Sequence, residues 1–400
     1  MRQPLNHQTL RKLNEERRLT YPLKLLIRTG CNFILATGLI GFQPLLGAAQ
    51  ANGVNYISEI QGTAELRRPG STFQRAYGSD FLGTDDQVRV AVNSEVVLVC
   101  SHGRSVSLYE GTHDVARSCN LNAQQTPEYS VWQRLFWWPS RRQPSRNFNA
   151  RIPYILSPRN TALLDVSRPT IRWNPLDDAQ QYRVLMTEQG GQEVWESEWI
   201  SGNETIYSGP TLLPETRYRI EVTADNGISS SLDIVGFTLL SDEEAERVET
   251  QVSRIESLEL DEDSEALGLA LLYQGYEHSD DNKHSNELSQ SALDVLQSRI
   301  DAGTENSQIY LLQGDIYLVI GLPLEARSRY EQSLDIAVAE GELERQADSL
   351  EGLATVAQGE NQIAEAITCL ESALEIYESL GQANQTSALQ ERIDTLRIFL

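Results

Sequence analysis

The sequence predicts a multi-domain α+β chain: a small all-β domain, a β-sandwich, then an all-α helical-repeat solenoid. Three observations predict it. Short runs of β-branched residues separated by Gly-containing turns fill residues 52–120. A second set of alternating strands fills residues 154–240. From residue 241 the apolar spacing becomes helical, and small residues recur beside large apolar ones. Aligning Ala326 with Ala366 gives a period of about 40 residues, within the range of stacked helical pairs.

Charge is unevenly placed along the 400 residues. Residues 1–50 carry seven Lys/Arg and two Asp/Glu, whereas residues 241–400 carry nine and 34. The acidity of the chain, −24 overall, therefore sits in the helical third. Phosphate binding needs clustered Lys/Arg, so nucleic acid is not an expected partner of that part. Solvated helix faces and a basic partner are the two readings of the excess.

Residues 1–51 read as a signal peptide or an N-terminal membrane anchor. Arg11, Lys12, Arg17, Arg18, Lys24 and Arg28 precede an apolar stretch from Cys31 to Ala49, with Ala49-Gln50-Ala51 after it. The short apolar run, broken by Pro44, favours cleavage after Ala51; the long basic segment favours an anchor. Both readings place residues from Asn52 onward outside the cytoplasm, in the periplasm or cell envelope.

In residues 52–120, Val88, Val90 and Val92 alternate with Arg89 and Ala91. Asn93-Ser94 turns the chain into Glu95-Val96-Val97-Leu98-Val99-Cys100, and His102-Gly103 turns it again before Val106 and Leu108. This order resembles FecR-like periplasmic domains, which implies a β module that senses a ligand or partner. Cys100 and Cys119 share this domain. In an oxidising compartment they are expected to form a disulfide worth roughly 3 kcal/mol. The rival is a zinc site built from Cys100, His102, His113 and Cys119, although its Cys-x-His start is tighter than usual.

Residues 121–153 read as a linker. Its Val131-Trp132-Gln133-Arg134-Leu135-Phe136-Trp137-Trp138 segment suits either a neighbouring domain or a membrane surface. In residues 154–240, Ile171 and Trp173 share a strand face, and Tyr182, Val184 and Met186 alternate with Arg183, Leu185 and Thr187. Leu212-Leu213-Pro214-Glu215-Thr216-Arg217-Tyr218 resembles the fibronectin type III signature. The resemblance implies an immunoglobulin-like sandwich with Trp173 in its core and Tyr218 as the tyrosine corner.

In residues 241–400, Ser241 and Glu244 form a capping-box pattern, and Val248, Val252, Ile255 and Leu258 recur at helical spacing. Asp261 to Asp263 interrupts the pattern, and a helix is expected from Ala266 to Tyr276. Ser285, Ser289 and Ala292 match Ala326, Tyr330 and Ser333, then Ala366, Leu370 and Ala373. With Gly314 at the small site of a first helix and Ala326 at that of a second, the spacing resembles the tetratricopeptide repeat. That resemblance implies a groove for another protein, and Gln308, Leu311 and Asp315 are the expected lining. Cys369 falls on an apolar helix face and reads as core. A closing helix is expected from Ser387 to Leu400, with Ile398-Phe399-Leu400 docking on the last pair.

No nucleophile elbow, P-loop, dinucleotide turn, zinc-protease spacing or EF-hand occurs. The run Asp261-Glu262-Asp263 lacks the Gly and final Glu of a calcium loop. The loop from His278 to His284, with two His and two Asp, reads as an exposed helix connection rather than a metal site. No catalytic residue, cofactor or metal is expected. The module series resembles exported proteins of cyanobacterial type, implying a non-catalytic scaffold that binds a protein or peptide partner. The alternative is a membrane-anchored FecR-like envelope sensor.

Overall fold

A computed structural model describes residues 55–77, 80–100, 105–121, 149–164, 168–258, 260–275 and 288–400. The expected leader, the Val131–Trp138 segment, His102 and the His278–His284 loop lie outside them.

The first module is two four-stranded antiparallel sheets packed face to face. Strands β1 (Asn55–Gln61), β4 (Phe81–Leu82), β6 (Glu95–Val99) and β7 (Ser105–Leu108) form one, in the order β4-β1-β6-β7. Strands β2 (Ala64–Arg67), β3 (Gln74–Arg75), β5 (Gln87–Val90) and β8 (Gly111–Asp114) form the other, in the order β3-β2-β5-β8. Alternation explains the packing: Leu66, Val88, Val90, Val96 and Leu98 point inward and are buried. Val92 does not continue the strand as expected. The chain turns after Val90, Asn93 adopts φ 58°, and Val92 is exposed. Helix α1 (Val115–Leu121) closes the module, and the Cys100–Cys119 disulfide ties it to the end of β6. Both sulfurs are thereby taken, so the Cys₂His₂ alternative is withdrawn.

The second module is an immunoglobulin-like sandwich. One sheet holds β9 (Ile155–Ser157), β11 (Thr170–Trp173) and β14 (Glu204–Ile206) in the order β14-β11-β9. The other holds β10 (Thr161–Leu163), β12 (Tyr182–Glu188), β13 (Glu193–Glu196), β15 (Arg217–Ala224) and β16 (Val235–Leu239), in the order β10-β16-β15-β12-β13. Trp173 is fully buried against Tyr182, ring centroids 5.5 Å apart. The Tyr218 hydroxyl accepts a 2.7 Å bond from the Leu213 amide, which is the corner the signature implies.

The third module is a stack of antiparallel helices: α2 (Asp242–Glu256), α3 (Glu262–Gly275), α4 (Ser289–Asp301), α5 (Ser307–Val319), α6 (Pro323–Glu340), α7 (Leu343–Gly359), α8 (Ile363–Ser379) and α9 (Ala383–Arg397). The Ser241–Glu244 capping box opens α2. The helical pattern does break before the acidic run, but the next helix opens at Glu262, four residues ahead of Ala266. Asp261 accepts from the Ser264 amide at 3.0 Å, and Glu262, Asp263 and Glu265 sit in the first turn, where carboxylates favour the helix dipole. Cys369 is fully buried, as its apolar helix face implies, but it is disulfide-bonded rather than a plain core thiol. Ile398, Phe399 and Leu400 do not dock: they are 80, 71 and 76 % exposed, because α9 ends at Arg397 and the chain turns away from the stack.

A series of modules strung along a chain with a linker at residues 121–153 would leave the helical stack apart from the β modules. The structure instead packs all three modules together. A single apolar core joins Tyr56, Phe81 and Val99 of the first module to Tyr154, Ala162 and Leu240 of the second and to Val248, Ile255 and Leu271 of the stack. Polar joints surround it. Gln251 of α2 donates to Asp80 at 3.0 Å, and Arg254 pairs with the buried Asp86. Ser157 donates to Gln290 of α4 at 2.8 Å, and the Tyr154 hydroxyl donates to Glu325 of α6 at 2.9 Å.

Candidate functional site

The stack is set by close approach of its helices. The Tyr330 ring of α6 lies between Gly314 of α5 and Gly352 of α7. A Cβ at Gly314 would fall 2.8 Å from the ring, and one at Gly352 would fall 2.6 Å from it. The two glycines make room for an aromatic ring of α6 packed between α5 and α7. The Tyr330 hydroxyl donates to Asp315 at 2.7 Å. Ser349 of α7 donates to Ser333 of α6 at 2.9 Å, and Ser333 donates to the Ser307 carbonyl at 2.9 Å. Small polar residues thus link α5, α6 and α7 through the interior.

This packing corrects the expected lining. Gln308, Leu311 and Asp315 do share one face of α5, but all three are buried, Asp315 to 3 % exposure. Leu311 belongs to the core of the stack, and Asp315 is engaged by Tyr330. They hold the helices together; they do not line an open surface.

The corresponding face of α7 is different. The Asp348 side chain keeps only 9 % exposure, and Glu351 is partly buried. The Tyr377 hydroxyl of α8 donates to Asp348 at 2.7 Å and lies 3.0 Å from Glu351. Burial and the adjoining Glu351 and Asp348 carboxylates push the Tyr377 phenol well above its ordinary range, so it stays a donor. Arg345 pairs with Asp348 at 3.1 Å, and Arg392 of α9 donates to Thr355 and Gln358 at 3.0 and 2.9 Å. Burial, with Asp348 beside it, raises Glu344 above the usual carboxylate range. The result is a strip of partly buried acid, amide and guanidinium groups along α7, fixed from both sides by α8 and α9. Such groups can offer directed hydrogen bonds and charge.

Sequence reasoning missed this strip although the signal was present. Advancing Gln308, Leu311 and Asp315 by the repeat of about 40 residues lands on Asp348, Glu351 and Thr355.

Two family profiles match the chain. The tetratricopeptide repeat matches residues 305–379, which span α5 to α8. The Rha78A-like, N-terminal immunoglobulin domain matches residues 157–233, within the second module. No curated protein matches the chain. The chain therefore contains a tetratricopeptide region and an immunoglobulin-like domain, and the former is a repeat class built for protein interaction.

Proposed function

We propose that the chain is a non-catalytic scaffold that binds a protein partner along the α7 strip of its tetratricopeptide stack. The observation that carries this is the pair of carboxylates at the edge of the stack, the largely buried Asp348 and the partly buried Glu351, held in fixed positions by Tyr377 and Arg345. Residues 241–400 carry 34 Asp/Glu against nine Lys/Arg, which supports a partner segment of basic character. The FecR resemblance of the first module, the basic and apolar segment of residues 1–51 and the Cys100–Cys119 disulfide support work outside the cytoplasm.

An oligo-lysine peptide tests the binding surface. Full-length protein is expected to bind it saturably, with affinity falling as salt rises. Asp348→Asn together with Glu351→Gln should weaken binding about tenfold while the protein still melts cooperatively. Binding unaffected by both changes, or equally affected by carboxylate changes on the β modules, would overturn the assignment. Sequencing the N-terminus of protein recovered from cells tests export: a start at Asn52 supports it, and a retained start with cytoplasmic recovery removes it.

A further inference from the structure

The hairpin that leaves β15 carries a reactive pair outside the stack. Asn-Gly occurs once among the described residues, at Asn226-Gly227, and both residues are exposed. The Gly227 amide donates to the Ala224 carbonyl at 2.9 Å, and the Ala224 amide donates to the Ile228 carbonyl at 2.8 Å, so the chain folds back over Asp225, Asn226 and Gly227. Gly227 takes φ 86°, the left-handed setting that closes such a loop with a bulge. The residues after it return along β15: Ser229 bridges Thr223, and the Ser230 amide donates to the Val222 carbonyl at 2.9 Å.

Two features of this tip favour ring closure between neighbouring residues. A Cβ at Gly227 would meet nothing within 4 Å, and glycine has none, so no side chain hinders the Gly227 nitrogen as it approaches the Asn226 amide carbon. The Ile228 amide donates to Oδ1 of Asn226 at 3.0 Å. That donor stands where negative charge develops when the amide carbon is attacked. Asn93 and Asn306 lack the first feature, because Ser94 and Ser307 follow them.

We propose that Asn226 is a site of spontaneous covalent modification that ages the sandwich. The Gly227 nitrogen loses its proton to hydroxide and attacks Cγ of Asn226. The bond from Cγ to the amide nitrogen breaks, and that nitrogen takes a proton from water and leaves as ammonia. The succinimide so formed takes up water at either carbonyl. One opening gives aspartate; the other gives isoaspartate, whose backbone runs through the side chain and is longer by a methylene. The net exchange is water in and ammonia out. The turn bond from Gly227 to Ala224 opens first, by the local fluctuation open to an exposed hairpin tip. Either product sets a new carboxylate beside Asp225, which already accepts from the Gln180 and Gln181 amides at 3.2 Å each. Isoaspartate also lengthens the chain just ahead of the pairing of Ser229 and Ser230 with β15, and ahead of Asp233, the partner of Arg159.

The test incubates folded full-length protein at mildly alkaline and mildly acidic pH and maps its peptides by mass. The Asn226 peptide should gain the mass of a nitrogen-to-oxygen exchange, faster at alkaline pH, and isoaspartate-specific methylation should label it. Asn226→Gln should leave that peptide unchanged, because the longer side chain would have to close a larger ring. Aged protein should unfold at a lower urea midpoint than fresh protein, and aged N226Q should not. Three results overturn the proposal. The first is modification of Asn226 only after the protein has been denatured. The second is equal modification at Asn93 and Asn306, which removes the role of Gly227. The third is modified protein with an unchanged urea midpoint, which shows that the sandwich does not register the change.

Discussion

The guanidinium of Arg159 grips both carboxylate oxygens of Asp233, at 2.6 and 2.9 Å, while its remaining N–H groups cross from one module to the next. Nε donates to the carbonyl of Ile320 at 2.8 Å and Nη2 to that of Gly321 at 3.3 Å. Nη1 also reaches the Ile155 carbonyl of its own module at 3.1 Å. The two crossing bonds end on the turn that follows α5, where helix carbonyls lack intrahelical partners and carry the negative end of the dipole. A buried cation from the sandwich thus caps a helix of the stack, and Asp233 balances its charge.

Arg159→Met should therefore loosen the joint between sandwich and stack. It removes every one of these bonds and leaves Asp233 facing helix carbonyls. Breaking a buried pair from one side costs about 3 kcal/mol. Urea denaturation should show that loss, and small-angle scattering should show a more extended particle. A change below about 0.5 kcal/mol, the range of neutral surface substitutions, would show that the apolar core alone sets the arrangement.

Gly314→Ala and Gly352→Ala should each destabilise the stack by about 1–3 kcal/mol, the usual cost of overpacking. Both added methyls meet the same Tyr330 ring, so the two costs are coupled. Against a Tyr330→Leu background either substitution should cost less, and the double-mutant cycle should show clear non-additivity. Thermal melts of the four proteins for each glycine decide it; additive effects would mean that the ring is not the obstacle.

These two joints also show what the sequence makes legible. Gly314, Ala326 and Ala366 announce the stack because close helix approach needs small residues at a fixed period. Tyr218 announces the sandwich because its corner uses a local signature. Packing between modules has no period: Tyr154 meets Glu325 and Ser157 meets Gln290 across long stretches of chain, through single residues that look like ordinary surface groups. The site was half legible for a related reason. Spacing identified the helix face but not its burial. On α5 the inserted Tyr330 encloses Asp315, whereas on α7 Asp348 keeps a 9 % exposed edge and Glu351 is partly buried.

Replacing Cys100 and Cys119 by Ser should cost the first module roughly 3 kcal/mol, since the bridge closes a loop of moderate length. Cys100 is buried in the core of that module, and Cys119 packs against the same core. Proteolysis should then release α1 first, because the bridge is what joins it to β6. Equal cleavage rates with and without the bridge would show that Val115, fully buried, anchors the helix unaided.

Acidification from neutral pH should stabilise the protein before it denatures it. Burial raises Glu325 and Glu344 above the ordinary value of 4.5, and raises Asp80 and Asp294 above 3.8. A carboxylate with a raised value in the folded state binds its proton more readily there than in the unfolded chain. Between the two values the folded state therefore holds more protons, and stability increases as pH falls. Asp261, lowered by its cap bonds to Ser264, works in the opposite sense. Self-repulsion among the acidic helices falls over the same interval. The melting temperature should accordingly rise as pH falls from neutral toward the ordinary carboxylate values, and fall only below them. Glu325→Gln removes one raised carboxylate and leaves an oxygen to accept from Tyr154, so it should reduce the slope. A melting temperature that declines steadily from neutral pH would show that the desolvated acids do not govern stability over that interval.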